Sequence, residues 1–344
     1  MLGKAVKVRH CPATVTGMQE GRVRSLRERE DWIQKRPSRK SGDRFHGFEV
    51  SERFEGERLM IRRWFARRWF AALLLAAPLS LGAPPQRIVS TAPSITEVLY
   101  ALGLGDRVVG VTRYCRYPPE AQLKPKIGDY TSPNLEAIAA LKPDLVIVQN
   151  NPVRLTERLS ALRLKSLEID QQNIAKLYDS IRVVGDATGV SARATQLVES
   201  IRSKLEQIRQ RTASLPRTRT MFVIGRTPNR LDGLVVVGKD SYLNEIMQIA
   251  GGENVFRDAL AAYPQVSLEE VLARNPQVIV DMGDMADTVG VTEAHKRDVV
   301  SLWQRMGTIE AVKQHHVFAV ASDIFVVPGP RVVDAAQAFL EMLH

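Results

Sequence analysis

Cysteine is nearly absent from this chain: 344 residues hold two, Cys11 and Cys115. Past residue 83 only Cys115 remains, so no intrachain disulfide can staple that part, and buried apolar surface has to hold it. Long apolar runs are missing too. The uncharged stretch Trp69–Pro85 is broken by Pro78 and falls short of the ~20 residues a spanning helix needs. Tryptophan is scarce, and past residue 69 only Trp303 is left. Gly-x-Ser-x-Gly, Walker A and Cys-x-x-Cys signatures do not occur, and no nucleophile–base pattern is visible. Gly103-x-Gly105 is a fragment of a dinucleotide fingerprint, but it ends a helix instead of following a strand, so it reads as a cap. His295, His315, His316 and His344 are the histidines past residue 83. Adjacent side chains at a strand point opposite ways, so His315-His316 makes no metal site, and none is expected.

An even spread of positive charge is also missing. The net charge is +10, but residues 1–59 carry 14 Lys and Arg against 9 Asp and Glu, and Arg62, Arg63, Arg67 and Arg68 follow. About one unit of net charge is left after residue 70. The basic character belongs to the leader, which removes the case for a nucleic-acid partner.

That leader has its own pattern. Met60 to Arg68 is a basic start, Ala71 to Ala77 is an apolar core, and Ser80, Gly82 and Ala83 are small residues suited to a processing site. This is the layout of a secretory signal peptide over 60–83, so an exported, periplasmic protein is expected; a retained membrane anchor at 69–85 is the alternative. Residues 1–59, rich in Arg, Ser, Glu and Gly, read as disordered or as an upstream segment that is not translated.

What the chain does have is an internal repeat. Leu135, Glu136, Ile138, Pro143 and the run Leu145–Val148 recur 133 residues later as Leu268, Glu269, Val271, Pro276 and Val278–Val280. Each copy reads as a short helix, a proline stop and a buried strand, which suits two similar lobes. Strands at 87–90, 108–111, 145–148 and 167–169 alternate with helices at 93–102, 134–141 and 153–163, the signature of an α/β fold with parallel sheet. From about 171 to 213 the pattern is helical, with a break at Gly185–Gly189. Ala194, Leu197, Val198, Ile201, Leu205 and Ile208 form one stripe on a helix of roughly 30 Å. A second α/β series follows, with strands at 220–224, 277–281 and 317–320 and helices at 240–250, 267–274, 308–313 and 330–343. The expected architecture is two Rossmann-like lobes with central parallel sheets, 84–178 and 216–344, joined by a helical segment at 179–215.

Ligands of such folds sit at the C-terminal ends of strands. The loops there carry Tyr114, Tyr117, Tyr130, Gln149 with Asn150 and Asn151, Arg226, Tyr263, and Asp323 to Arg331 with Phe325 between them. Tyrosine offers a flat apolar face and a polar tip, suited to a large ring. Asp323 and Arg331 also read as a structural ion pair. Glu136 and Glu269, one per lobe near a helix start, suit the helix macrodipole and equally suit a two-fold partner. Glu270 competes with Glu269 for that role, and the repeat offset favours Glu269.

Residues 85–97, 109–119, 133–138 and 141–147 resemble the N-terminal lobe of the iron-siderophore/cobalamin class of periplasmic substrate-binding proteins. Residues 251–256, 264–276 and 322–331 resemble its C-terminal lobe. The elements Tyr114-Cys-x-Tyr-Pro-Pro119 and Gly251-Gly-Glu-Asn-Val-Phe256 are most similar to its vitamin B12-binding branch. The resemblance implies a monomer with a ligand cleft between lobes bridged by one long helix. It implies capture of cobalamin or a related corrinoid, no catalytic cofactor, and delivery to a dimeric ABC importer permease whose arginines meet Glu136 and Glu269. Tyr114, Tyr130 and Tyr263 fall where that branch keeps aromatic contacts, and Asp323 and Arg331 fall in its C-lobe ligand loop. Two departures, Gln149 and Ile324-Phe325-Val326 in place of tryptophan-bearing positions, keep a haem or ferric-siderophore ligand as the alternative. A membrane-anchored sensor or a cleft enzyme is the remoter one.

Overall fold

The computed structural model describes residues 83–150, 154–283 and 291–344. The expected upstream segment, all but the last residue of the expected signal peptide, and Asn151 lie outside the described residues. Those described belong to one compact unit, Leu79–His344.

Its first half is an all-parallel sheet. Strand β1 (Ile88–Ser90) leads through helix α1 (Pro93–Ala101) to β2 (Val108–Val111), then α2 (Leu135–Ala140), β3 (Leu145–Gln149), α3 (Leu155–Ala161) and β4 (Ser166–Ile169). The strand order is β2-β1-β3-β4. Ile88, Val89 and Leu145–Val148 are buried, as continuous apolar runs must be when a parallel sheet is covered on both faces. Gly103, with φ of 69°, turns the chain just past α1, so Gly103-x-Gly105 is the cap that the sequence indicated.

Two helices then follow, α4 (Ile174–Thr188) and α5 (Ser191–Thr212). Gly189 divides them in the left-handed region at φ 74°, where glycine costs least. Gly185 lets the helices touch: a Cβ there would lie 2.3 Å from that of Ala194. Helix α5 has 22 residues and buries Ala194, Val198, Ile201, Leu205 and Ile208, the expected stripe except for half-buried Leu197. Its other face is charged. One apolar cluster runs from Ile88 and Leu99 through Ile181 and Leu205 to Phe222 and Phe339. The two halves therefore share a core through these helices.

The second half contains β5 (Thr218–Gly225), β6 (Leu234–Val236), α6 (Tyr242–Ile249), β7 (Gly252–Asn254), β8 (Gln265–Val266), α7 (Leu268–Arg274), β9 (Val278–Asp281), α8 (Glu293–Gln304), α9 (Glu310–Lys313), β10 (Val317–Ala319) and α10 (Val332–Leu343). The order is β10-β9-β5-β6-β8, with β7 on β5. Strands β9 and β10 pair parallel with their neighbours, as expected. The sequence did not indicate β6 and β8, which add two antiparallel strands; at three and two residues they are too short to set up an alternation. Helix α8 was also missed, because only Val299 and Trp303 of its 12 residues are buried.

Candidate functional site

Both sheets point their strand ends into a gap between the lobes. A cavity of about 990 Å³ lies there, within the range of small-molecule sites. Its first wall follows β3 and β4 with Gln149, Asn150, Asp170, Gln171 and Gln172. Its second wall carries Tyr242, Tyr263, Phe325 and Val326. Phe325 is held edge-on against Phe222 and Phe339 at 5.5 and 5.3 Å between ring centres. The Tyr242 hydroxyl donates to its carbonyl at 2.8 Å. Phe325 and Tyr242 are thus held in the wall by the chain's own contacts.

Gln171 is the feature the sequence reading missed. It is 1 % exposed and lines this cavity, yet neither its Nε2 nor its Oε1 has a hydrogen-bond partner among the described residues. A buried amide left unpaired costs about 1–3 kcal/mol. The usual remedy is a partner from outside the chain. Its place just past β4 was the available signal, by the rule that selected Gln149 to Asn151 past β3.

A second cavity of about 490 Å³ lies at the other end of the gap, between Arg113, Cys115, Arg116 and Lys126 on one side and Ala321 to Asp323 on the other. The Cys115 thiol is pushed up by burial, against hydrogen bonds from Thr112 and Thr96. That is the reverse of what a nucleophilic thiolate needs.

The remaining expected residues are placed differently. Arg226 does not face the cavity. Strands β5 and β9 are neighbours, with Val223 opposite Asp281, so Arg226 just past one strand meets Asp281 at the end of the other. Its Nε donates to Asp281 at 3.1 Å, and the Trp303 indole donates to the same oxygen at 2.7 Å. A guanidinium whose side chain is 2 % exposed requires that carboxylate. Tyr114 is exposed and lies under the Arg113 guanidinium, accepting from its Nη2 at 3.0 Å. Tyr130 is half-buried and packs on the main core. Neither tyrosine lines either cavity.

Arg331 and Asp323 do pair, Nη1 and Nη2 of the guanidinium donating to the carboxylate at 2.9 and 3.0 Å. The pair extends across the lobes, because Arg331 also bonds Glu97 of α1 and stacks 4.1 Å from the Tyr117 ring centre. Burial raises the Glu97 carboxyl above its ordinary value although Arg331 opposes it. Glu97 Oε2 and Arg331 Nε have no hydrogen-bond partner among the described residues. Arg331 and Tyr117 thus tie the lobes together at the edge of a separate groove of about 690 Å³ that they line together with Glu97.

Glu136 and Glu269 are both exposed, each in the first turn of its helix. Glu270 is occupied: its Oε2 accepts from the Ser267 amide at 2.9 Å while the Ser267 hydroxyl accepts from the Glu270 amide. This reciprocal cap leaves Glu269 as the outward carboxylate. Among the described residues, no group of His, Cys, Asp and Glu is arranged to hold a metal ion. No helix among them is long and apolar enough to cross a membrane.

Two α/β lobes closed on a helical spine, with a cleft between strand ends, are the architecture of a solute-binding protein. The periplasmic binding protein family model matches residues 88–324, and the chain belongs to that family. A vitamin B12-binding protein of Vibrio vulnificus (strain YJ016) is 31% identical over 273 residues, covering 78% of this chain and 94% of that protein. An ABC transporter substrate-binding lipoprotein, YvrC, of Bacillus subtilis (strain 168) is 32% identical, covering 76% of this chain and 80% of the relative. Among solved structures, the periplasmic vitamin B12 binding protein BtuF of Vibrio cholerae aligns with a TM-score of 0.64 at 27% identity, over 76% of this chain and 98% of its own. These relatives are named as binding proteins, not as enzymes.

Proposed function

We propose that this chain is an exported receptor that captures cobalamin or a related corrinoid between its lobes and delivers it to the permease of an ABC importer. The observation that carries the reading is Gln171, a buried carboxamide with both polar atoms unpaired among the described residues, in a cavity that also holds Gln149, Asn150 and Gln172. A corrin ring is fringed with carboxamides. Amide meets amide as donor and acceptor at once, so one kind of ligand group pairs both atoms. Tyr263 and Phe325 on the opposite wall supply the apolar face that such a ring needs. The vitamin B12-binding names of the relatives support the same ligand.

The protein's own chemistry is binding and release, without a catalytic cofactor. It acts as a monomer exported by the 60–83 segment, with lobes 84–178 and 216–344 joined through 179–215. Glu136 and Glu269 meet basic groups on the two halves of a dimeric permease; charges so placed set register and encounter rate more than affinity. The ligand reading is tested by calorimetric titration of the protein with cyanocobalamin, with haem and a ferric catecholate siderophore as comparators, for wild type and Gln171→Leu. Sub-micromolar binding of the corrinoid, weakened at least tenfold by the substitution, is expected. Tight binding of haem or the ferric chelate without the corrinoid would transfer the cleft to that ligand.

A further inference from the structure

The cleft loop of the second lobe is closed at its base. Asp323 and Arg331 bond each other across eight residues, and the Val326 and Val327 amides both donate to the Asp323 carbonyl at 3.0 Å. A short segment with bonded ends and bonded inner groups is a compact unit. Between those ends Phe325, Val326 and Pro328 line the 990 Å³ cavity. The base of the loop is seated on the first lobe at buried Glu97 of α1. Arg331 Nη2, already bonded to Asp323, also donates to Glu97 Oε1. At Gly329 a Cβ would lie 2.8 Å from Glu97 Oε2. Gly329 does not have a positive φ, so the close approach to Glu97, not the backbone, calls for glycine. The same helix reaches the opposite wall: Ser94 Oγ lies 3.5 Å from Gln149 Oε1, which lines the cavity across from Phe325. The Tyr242 amide also bonds the Gln172 carbonyl at 3.1 Å and the Ile174 amide bonds Glu245 at 3.0 Å. Those bonds cross beside the start of α4, where the chain itself connects the lobes.

We propose that Glu97 is a positioning residue of the ligand cleft. It lines the separate groove and not the cavity; by holding Arg331 and seating Gly329 it sets the spacing between the Phe325 loop and the Gln149 wall. The inference rests on the reading of that cavity as the ligand site and deepens it. A guanidinium fork shared by two carboxylates fixes direction as well as distance. A wall held at a set spacing by the chain's own contacts spares the ligand the cost of ordering it. Loss of the Glu97 bond releases the loop from the first lobe but does not open it, because Asp323 still closes its base. The effect therefore falls on how long a ligand stays, as affinity differences within one site mostly do.

The experiment measures the dissociation rate of cyanocobalamin, and hydrogen exchange of residues 323–331 without ligand, on wild type, Glu97→Ala, Glu97→Gln, Gly329→Ala and the Glu97→Ala/Gly329→Ala pair. Asp281→Asn is the control, because it disturbs a buried ion pair inside the second lobe and none of the contacts at Glu97. Glu97→Ala should speed dissociation tenfold or more and speed local exchange at Val326 and Val327. Glu97→Gln keeps an acceptor for Arg331 and should stay within threefold of wild type. Gly329→Ala keeps every charge; alone it should speed dissociation about fivefold, and beside Glu97→Ala it should add nothing, because the side chain it meets is already gone. Asp281→Asn should lower stability and leave both readouts unchanged. Wild-type dissociation in Glu97→Ala, or a Gly329→Ala effect that persists in full beside it, would overturn the assignment. Where Glu97→Ala does not fold, Gly329→Ala decides, and wild-type dissociation and exchange in that variant would overturn the assignment equally. Failure of cyanocobalamin to bind wild type would count against the corrinoid reading alone. Loop exchange then judges Glu97, whose role falls if Glu97→Ala exchanges at the wild-type rate.

Discussion

Residues 134–148 and 267–281 are two copies of one helix, stop and strand, and they differ at their ends. Asn134 caps the first helix through its side chain alone, whereas Ser267 and Glu270 form a reciprocal cap on the second. Both copies stop in the left-handed region at matching positions, Lys142 at φ 45° and Asn275 at φ 44°. At the strand end the first copy has buried Val148, followed by Gln149 at the cavity. The second has Asp281, fully buried under Arg226 and Trp303. One lobe thus opens its strand end to the ligand with an amide, and the other closes it with an ionic lock. A repeated pattern conserves the scaffold but not the chemistry at its tip.

The sharpest way to break this comparison is at the strand ends. Asp281→Ala strands a buried guanidinium and should cost about 3–5 kcal/mol, while Val148→Ala should cost roughly 2 kcal/mol; urea midpoints of the two variants check the difference. Equal losses would mean that Arg226 finds water or another acceptor. The outward glutamates come next. Glu136→Ala with Glu269→Ala should reduce transport tenfold or more with ligand affinity intact, and Glu270→Ala should leave transport unchanged while costing about 1 kcal/mol of stability. Loss of ligand affinity in the double variant would remove both residues from docking.

Glu97, which joins the lobes, predicts a pH effect. Its carboxyl titrates above the ordinary value in the folded state, so the folded state holds more protons than the unfolded one between the two values. This group alone therefore makes stability fall as pH rises from the ordinary carboxylate range through the raised folded value. Glu97→Gln should flatten that part of the stability profile, and an unchanged slope would show that Arg331 already holds the carboxylate charged. The smallest effect lies at the helix stops. Asn tolerates the left-handed region better than Lys, so Lys142→Asn should add roughly 0.5 kcal/mol, whereas Asn275→Lys should remove about 1–2 kcal/mol because it also takes away the Oδ1 that accepts from the Glu310 amide at 2.8 Å, read as opposite and unequal shifts in thermal midpoint.

Much of the frame was legible because its signals are periodic. Continuous apolar runs marked β3 and β9, a three-and-four stripe marked α5, and the 133-residue offset marked the lobes. Helix α8 was not legible because only Val299 and Trp303 of its residues are buried, and strands β6 and β8 were not because three and two residues are too few to set up a period. The site divides along the same line. Gln149, Tyr263 and Phe325 follow from their places at or beyond strand ends. Arg226 failed because its partner Asp281 lies 55 residues away, joined to it only by the pairing of β5 with β9. Glu97 and Gln171 were invisible for a related reason: one matters through a bond across the lobes, the other through a bond that the chain does not make.

The most direct measurement is the position of cobalt, located by anomalous scattering in crystals grown with cyanocobalamin. The account places one cobalt per chain between the lobes, in the cavity bounded by Gln149, Gln171, Tyr263 and Phe325. Cobalt on an outer face of either lobe, or none bound, would contradict it.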